Sequence, residues 1–266
     1  MPDQERPDPS RRRLLQALLA PALLASCGGG SDGNADGGTV TLSSLTRTSS
    51  GDSYDLYVYT PAPSVAKGRT LPVVYVLDGA SWITTIASIM DSSQFAAYVV
   101  GIGRADLRTR DYLEPGAAGF YDFIVQQLAP FIESNRAVQA GRRVLVGHSY
   151  GGVFSALAIF IDRLGAGAFS AYASFDGSFF ESTPTAESMD ALASFETTLG
   201  VRGMTPATLL FAGSPSSNGP YVDAFYQQLL AHAYPGLTTA DASYAGGHGP
   251  MFAPAYTDAM RRLLAS

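Results

Sequence analysis

Val144-Leu145-Val146-Gly147-His148-Ser149-Tyr150-Gly151-Gly152-Val153 is an apolar run that ends in Gly-x-Ser-x-Gly. It passes at once into Phe154-Ser155-Ala156-Leu157-Ala158-Ile159-Phe160, a helical pattern. A strand, a sharp turn and a helix in that order set a serine in a crowded turn and push its hydroxyl out at the top of a sheet. Gly147 and Gly151 carry no Cβ, so neighbouring chain can pass close to the turn. The N–H of Tyr150, at the helix start, can face a developing oxyanion. A chain with 28 glycines can produce the same pattern by chance. The strand before it and the helix after it favour a nucleophilic Ser149.

Working outward, apolar runs and helical patterns alternate. Thr39 to Thr46 and Ser53 to Thr60 alternate polar and apolar residues, as an antiparallel pair at a sheet edge does. Leu71 to Leu77 is continuously apolar apart from Pro72, as in a buried parallel strand, and a helix is expected near Trp82 to Met90. Ala97 to Gly103 reads as a strand and Arg104 to Gly116 as a long loop. Phe120, Tyr121, Ile124, Leu128, Phe131 and Ile132 recur at helical spacing. After the serine come strands at Ala168 to Phe175, Ala207 to Ala212 and Leu237 to Tyr244. Helices are expected around Glu187 to Leu199, Tyr221 to Ala231 and Ala253 to Leu264. This alternation predicts an α/β fold with a mostly parallel sheet and helices on both faces. Ligands then bind at the carboxyl ends of the strands, where Ser149 stands.

The ends of the chain read differently. Ser10-Arg11-Arg12-Arg13-Leu14-Leu15-Gln16 resembles a twin-arginine export signal, followed by an apolar stretch too short to span a bilayer. Leu24-Ala25-Ser26-Cys27 resembles a bacterial lipobox, in which the cysteine is lipidated after cleavage. Residues 1–27 are therefore expected to be an export signal, 28–38 a Gly-rich tether and 39–266 the folded domain. Acyl chains on Cys27 would anchor the protein to a membrane without crossing it. Cys27 is the only cysteine, so no intramolecular disulfide can form. Cleavage removes four arginines and three acids, taking the formal charge from −6 to −7. With no basic block outside the N-terminus, nucleic acid is not an expected partner. No metal-ligand cluster or phosphate-binding glycine loop is visible, so no cofactor is expected.

A serine hydroxyl needs a general base within hydrogen-bond reach. Of the three histidines, His148 precedes the nucleophile and is expected to point away from the site and pack or hydrogen-bond locally, and His232 sits on a helix surface. His248, in Gly246-Gly247-His248-Gly249-Pro250, follows the last expected strand, and flanking glycines free its loop to reach Ser149. A turn histidine would look the same; elimination and position favour the base.

The chain resembles an esterase branch of the α/β-hydrolase fold, which includes esterase D-like enzymes and periplasmic esterases that cut ferric-siderophore lactones. The resemblance rests on Val73-Val74-Tyr75-Val76-Leu77-Asp78-Gly79, Arg108-Thr109-Arg110-Asp111-Tyr112, Gly147-His148-Ser149-Tyr150-Gly151-Gly152 and Gly246-Gly247-His248. It implies His248 as base and an acid after the strand ending at Ala212, where this chain has only Gly213-Ser214-Pro215-Ser216-Ser217-Asn218. Asp176 after the preceding strand and Asp223 on the next helix are the candidates. Some siderophore-type relatives use a Ser–His dyad, which leaves a backbone carbonyl or a serine as the third choice. Those relatives carry a Ser-Pro-Ser turn with tryptophans where this chain has Asp176-Gly177-Ser178-Phe179-Phe180. The resemblance also implies Gly79 or Ala80 as the second oxyanion donor beside Tyr150.

Arg108 and Arg110 could grip an anionic or catecholic substrate, though pairing with Asp106, Asp111 or Glu114 would serve the loop alone. The expected activity is serine hydrolysis of a small-molecule carboxylic ester. The alternatives are acyl transfer from the same acyl-enzyme, or a binding lipoprotein without turnover.

Overall fold

The structure, a computed structural model, describes residues 22–23, 36–164, 167–180 and 206–265. Cys27, most of the expected export segment and tether, and the helix expected around Glu187 to Leu199 lie outside the described residues. The strands are β1 (Thr39–Thr46), β2 (Ser53–Thr60), β3 (Leu71–Leu77), β4 (Tyr98–Gly103), β5 (Val138–His148), β6 (Ala171–Phe175), β7 (Ala207–Gly213) and β8 (Leu237–Ser243). Their order is β1-β2-β4-β3-β5-β6-β7-β8, and Ala22–Leu23 bridges to the outer edge of β1. β1–β2 and β2–β4 are antiparallel, and every pair from β4 to β8 is parallel.

Burial follows the sequence pattern. All seven residues of β3 and all five of β6 are buried, as strands covered on both faces require. The edge strand β8 alternates. Pro72 has no N–H for the ladder, and the β3–β5 register shifts between Leu71 and Val73 to accommodate it.

Helices cover both faces. On one, α1 (Gly79–Ser92) lays Ile83, Ile86 and Met90 against the sheet beside Phe252, Tyr256 and Met260 of the last helix, Phe252–Leu264. On the other pack α2 (Ala117–Phe123), α3 (Tyr150–Leu164) and α4 (Gly219–His232), through Phe120, Phe154 and Phe225 among others. The last helix is α5. Truncating a fully buried aromatic such as Phe252 costs about 3–5 kcal/mol.

Two expectations need correction. The stretch from Arg104 to Gly116 is not all loop, because Ala105–Leu107 and Arg108–Tyr112 are helical turns. Phe131 is 46% exposed, whereas Ile132 is buried. A π turn, Ile124–Leu128, continues α2 into Ala129–Glu133. Its extra residue advances the apolar stripe, so Ile132 rather than Phe131 meets the sheet.

The topology places the site. After β3 the chain crosses over α1 on one face, and after β5 it enters α3 on the other. The carboxyl ends of β3 and β5 therefore flank the crevice where strand order reverses.

Candidate active site

Three neighbouring strands end in a non-glycine residue with left-handed backbone: Asp78 after β3 (φ 55), Ser149 after β5 (φ 62) and Asp176 after β6 (φ 45). Such conformations cost on the order of 1–3 kcal/mol each and persist only where packing enforces them. At Ser149 the reason is close approach. A Cβ on Gly147 would stand 1.8 Å from the Gly151 carbonyl oxygen, and one on Gly152 would lie 3.0 Å from the Phe175 carbonyl oxygen. The Ser149 N–H bonds the Phe175 carbonyl at 3.0 Å, and the Asp176 N–H bonds that of Ala212 at 2.6 Å. Each turn is thus tied to the neighbouring strand.

Asp176 is fully buried. Its Oδ1 accepts from the Ser214 N–H at 2.9 Å, and its Oδ2 lies 2.6 Å from His248 Nδ1. Burial pushes the carboxyl up, but bonds from the Ser214 N–H, His248 and Ser217 outweigh it and hold Asp176 below the usual carboxylate value. A carboxylate only accepts, so Nδ1 carries the proton and His248 Nε2 is left as an acceptor. The His248 loop is made possible by Gly246 (φ 107) and Gly247 (φ 76). The Gly247 N–H donates to Ser214 Oγ at 3.2 Å.

Asp223 is not brought to this place. It is exposed on α4, where Gln227 Nε2 bonds its Oδ1 at 3.3 Å. The run Ser214 to Asn218, which holds no carboxylate, instead supplies the donors that fix Asp176 and its turn: Asn218 Nδ2 bonds the Asp176 carbonyl at 2.9 Å.

His148 packs and hydrogen-bonds locally, as expected, but it does so against the His248 loop rather than away from the site. It is buried against Trp82 and Phe252, and its Nε2 lies 2.8 Å from the His248 carbonyl. That oxygen only accepts, so Nε2 carries the proton. Burial pushes the His148 imidazole down to about 4. It is therefore a neutral strut under the His248 loop. Donor atoms of His148, Asp176 and His248 lie within 4.8 Å of one another. Hydrogen bonds among these residues already account for that cluster. His232 is exposed, as expected.

The oxyanion candidates open two adjacent helices. Gly79 and Ala80 begin α1, and Tyr150 begins α3. A Cβ on Gly151 would lie 3.2 Å from Leu77 Cβ and 3.5 Å from Asp78 Oδ2, which sets the two first turns side by side. The arginines divide. Arg110 is held by Asp111 (2.9 Å), Asp52 (2.7 Å) and Tyr54 Oη (3.0 Å), so it fixes the loop. Arg108 bonds Asp78 Oδ2 at 3.0 Å and lies over the Tyr150 ring, 5.5 Å from its centre. A cavity of about 350 Å³ lined by Arg69, Gln94, Phe95 and Met260 lies at the opposite, amino end of the strands.

A family model described as "Putative esterase" matches residues 48–190, a span that includes the Ser149 elbow and the Asp176 turn. The chain belongs to this esterase family. Among solved structures, the esterase is similar to an IroE-like serine hydrolase from Shewanella oneidensis: 26% identity, 85% of this chain and 80% of that one, TM-score 0.72. It is also similar to the siderophore hydrolase EstA from Aspergillus nidulans, at 17% identity over 91% and 99% of the chains with TM-score 0.72. The enterobactin and salmochelin hydrolase IroE is 19% identical over 86% and 96%, with TM-score 0.64. A comparison with curated proteins gives no match. The fold of the esterase is the α/β-hydrolase fold, and its chemistry is the hydrolysis of carboxylic esters.

Proposed function

We propose that the esterase works through a Ser149–His248–Asp176 triad and an acyl-enzyme intermediate. The observation that carries this reading is the 2.6 Å pair of buried Asp176 and His248 Nδ1, beside a serine held in a strained strand-to-helix turn. His248 Nε2 takes the Ser149 proton as Oγ bonds to the ester carbonyl carbon. The N–H of Tyr150 with that of Gly79 or Ala80 receives the resulting oxyanion. As the carbon–oxygen bond to the alcohol breaks, the imidazolium returns the proton to the leaving oxygen. Water, deprotonated by His248, then adds to the acyl group. Ser149 leaves with the proton, and a carboxylic acid is released.

Hydrolysis of short and medium p-nitrophenyl esters tests this reading. Wild-type protein is expected to turn over with an initial burst of p-nitrophenol, and Ser149→Ala to lose activity. Retained activity in Ser149→Ala would refute the mechanism.

A siderophore-type ester is the first natural substrate class to try. Support comes from the similarity to EstA, a siderophore hydrolase, and IroE, an enterobactin and salmochelin hydrolase, and from Arg108, which flanks Tyr150 and can turn a guanidinium edge toward an anionic or catecholic group. Faster turnover of a catecholate trilactone than of a p-nitrophenyl ester, reduced by Arg108→Ala, is the expected result. The N-terminal reading completes the proposal: residues 1–27 direct export, Cys27 carries the lipid and 28–38 tether the domain.

A further inference from the structure

The triad leaves one polar pair beside the nucleophile outside its mechanism, a buried Ser178 and a half-buried Asn218. Ser178 is buried, and its Oγ lies 3.2 Å from Ser149 Oγ. Asn218 Nδ2 lies 3.2 Å from the same Ser178 Oγ and 2.9 Å from the Asp176 carbonyl. A carbonyl only accepts, so the Asn218 atom facing it is the NH2 group, which has a hydrogen for each contact. Ser178 Oγ therefore accepts from Asn218, and its own proton is free to point at Ser149 Oγ. In that direction Ser149 Oγ accepts the bond, and its own proton is left for His248 Nε2.

We infer that Ser178 is a catalytic hydrogen-bond donor to the Ser149 oxygen, with Asn218 as the positioning residue that sets its direction. Once Ser149 donates to His248 Nε2 in the reacting complex, the donors run Asn218 to Ser178 to Ser149 to His248 to Asp176, one proton per link. This rests on the acyl-enzyme reading of Ser149. Its effect is unequal across the two half-reactions. In acylation Oγ must spend a lone pair on the carbonyl, and a donor on Oγ chiefly fixes the rotamer. In deacylation Oγ is the leaving oxygen and gathers negative charge as the bond to the acyl carbon breaks. A donor already aimed at it stabilises that charge without reorganisation.

The turn is built to hold Ser178 there. The Ser178 N–H bonds the Ser149 carbonyl at 3.3 Å, and Asp176 enters the turn with left-handed backbone. The carboxylate that orients His248 and the hydroxyl that faces Ser149 are thus two residues apart on one short segment.

The test is pre-steady-state hydrolysis of p-nitrophenyl esters by the full chain, with thermal unfolding measured alongside. Ser178→Ala is expected to slow deacylation about tenfold, the loss of one ordinary hydrogen bond, while the burst rate changes less than about threefold. Acyl-enzyme would then accumulate, visible as added mass on the intact protein. Ser178→Thr, which keeps the hydroxyl, is expected to restore deacylation. Asn218→Asp turns the Ser178 proton toward the new acceptor and is expected to slow deacylation as Ser178→Ala does.

Equal slowing of both half-reactions, or deacylation unchanged in Ser178→Ala, would overturn the inference. Failure of Ser178→Thr to restore deacylation with unaltered unfolding would also count against it. Activity surviving Ser149→Ala would instead overturn the reading beneath it.

Discussion

A carboxylate serves a catalytic imidazole only if it stays ionised and fixes one tautomer. Asp176 meets both conditions, because bonds from Ser214, His248 and Ser217 more than offset its burial. Asp176→Asn is therefore expected to lower kcat on the order of 10³–10⁴-fold with folding retained, and Asp223→Asn to leave it unchanged. Steady-state kinetics on a p-nitrophenyl ester checks both. Acid affects stability through two residues in different windows. His148 titrates near 6.5 when unfolded and near 4 when buried, so the unfolded chain takes its proton first. Its contribution is full above pH 6.5, falls as pH drops from 6.5 to 4, and is gone below. Asp176, held below its ordinary value, contributes above the normal carboxylate range, and this is lost as pH falls through its lowered value. Melting temperature against pH is expected to flatten between 6.5 and 4 in His148→Gln, and below about 4 in Asp176→Asn. At this scale the sequence showed residue types but not partners. Asp176 and Asp223 are both aspartates near plausible strand ends. What separates them is the bond from the Asp176 N–H to the Ala212 carbonyl and the left-handed turn it closes, contacts made across 36 residues of chain. Ser178 and Asn218 gave no motif, since their roles depend on a hydrogen-bond direction that only packing defines.

The elbow was legible because one contiguous stretch encodes all of it. Strand, turn and helix need no distant partner to be recognised, and the glycines in Gly147-His148-Ser149-Tyr150-Gly151 mark the backbone approach. Gly147→Ala brings a Cβ within 1.8 Å of the Gly151 carbonyl oxygen, so the turn must open. A loss of roughly 3 kcal/mol or more is expected, together with activity, as thermal unfolding and ester hydrolysis would show. Gly249→Ala, next to His248, is the control. A Cβ there meets nothing within 4 Å, and stability is expected to change by less than about 1 kcal/mol. The central strands were legible for a similar reason, since burial on both faces leaves continuous apolar runs. The helical turns at Arg108–Tyr112 were not, because their stability comes from contacts of Arg108 with Asp78 and Arg110 with Asp52 rather than from local periodicity.

Across the whole molecule, the chain enters the domain far from the site. The Gly38 N–H bonds Asp91 Oδ1 at 2.8 Å near the end of α1, whereas Gly79 opens that 14-residue helix beside the elbow. A helix of that length spans about 20 Å. On the proposed anchoring at Cys27, the tether meets the described domain at this end of α1 rather than beside the elbow. Cys27→Ser is expected to move the protein from the membrane to the soluble fraction with kcat unchanged. Unchanged fractionation and mass would remove the lipid from the account. The central claim is that Ser149 is the nucleophile, and the most direct measurement is labelling of the whole protein with a fluorophosphonate, followed by intact mass and peptide mapping. A single adduct on Ser149 in wild type, absent from Ser149→Ala, is the result predicted. No adduct, or one on another residue, would contradict it.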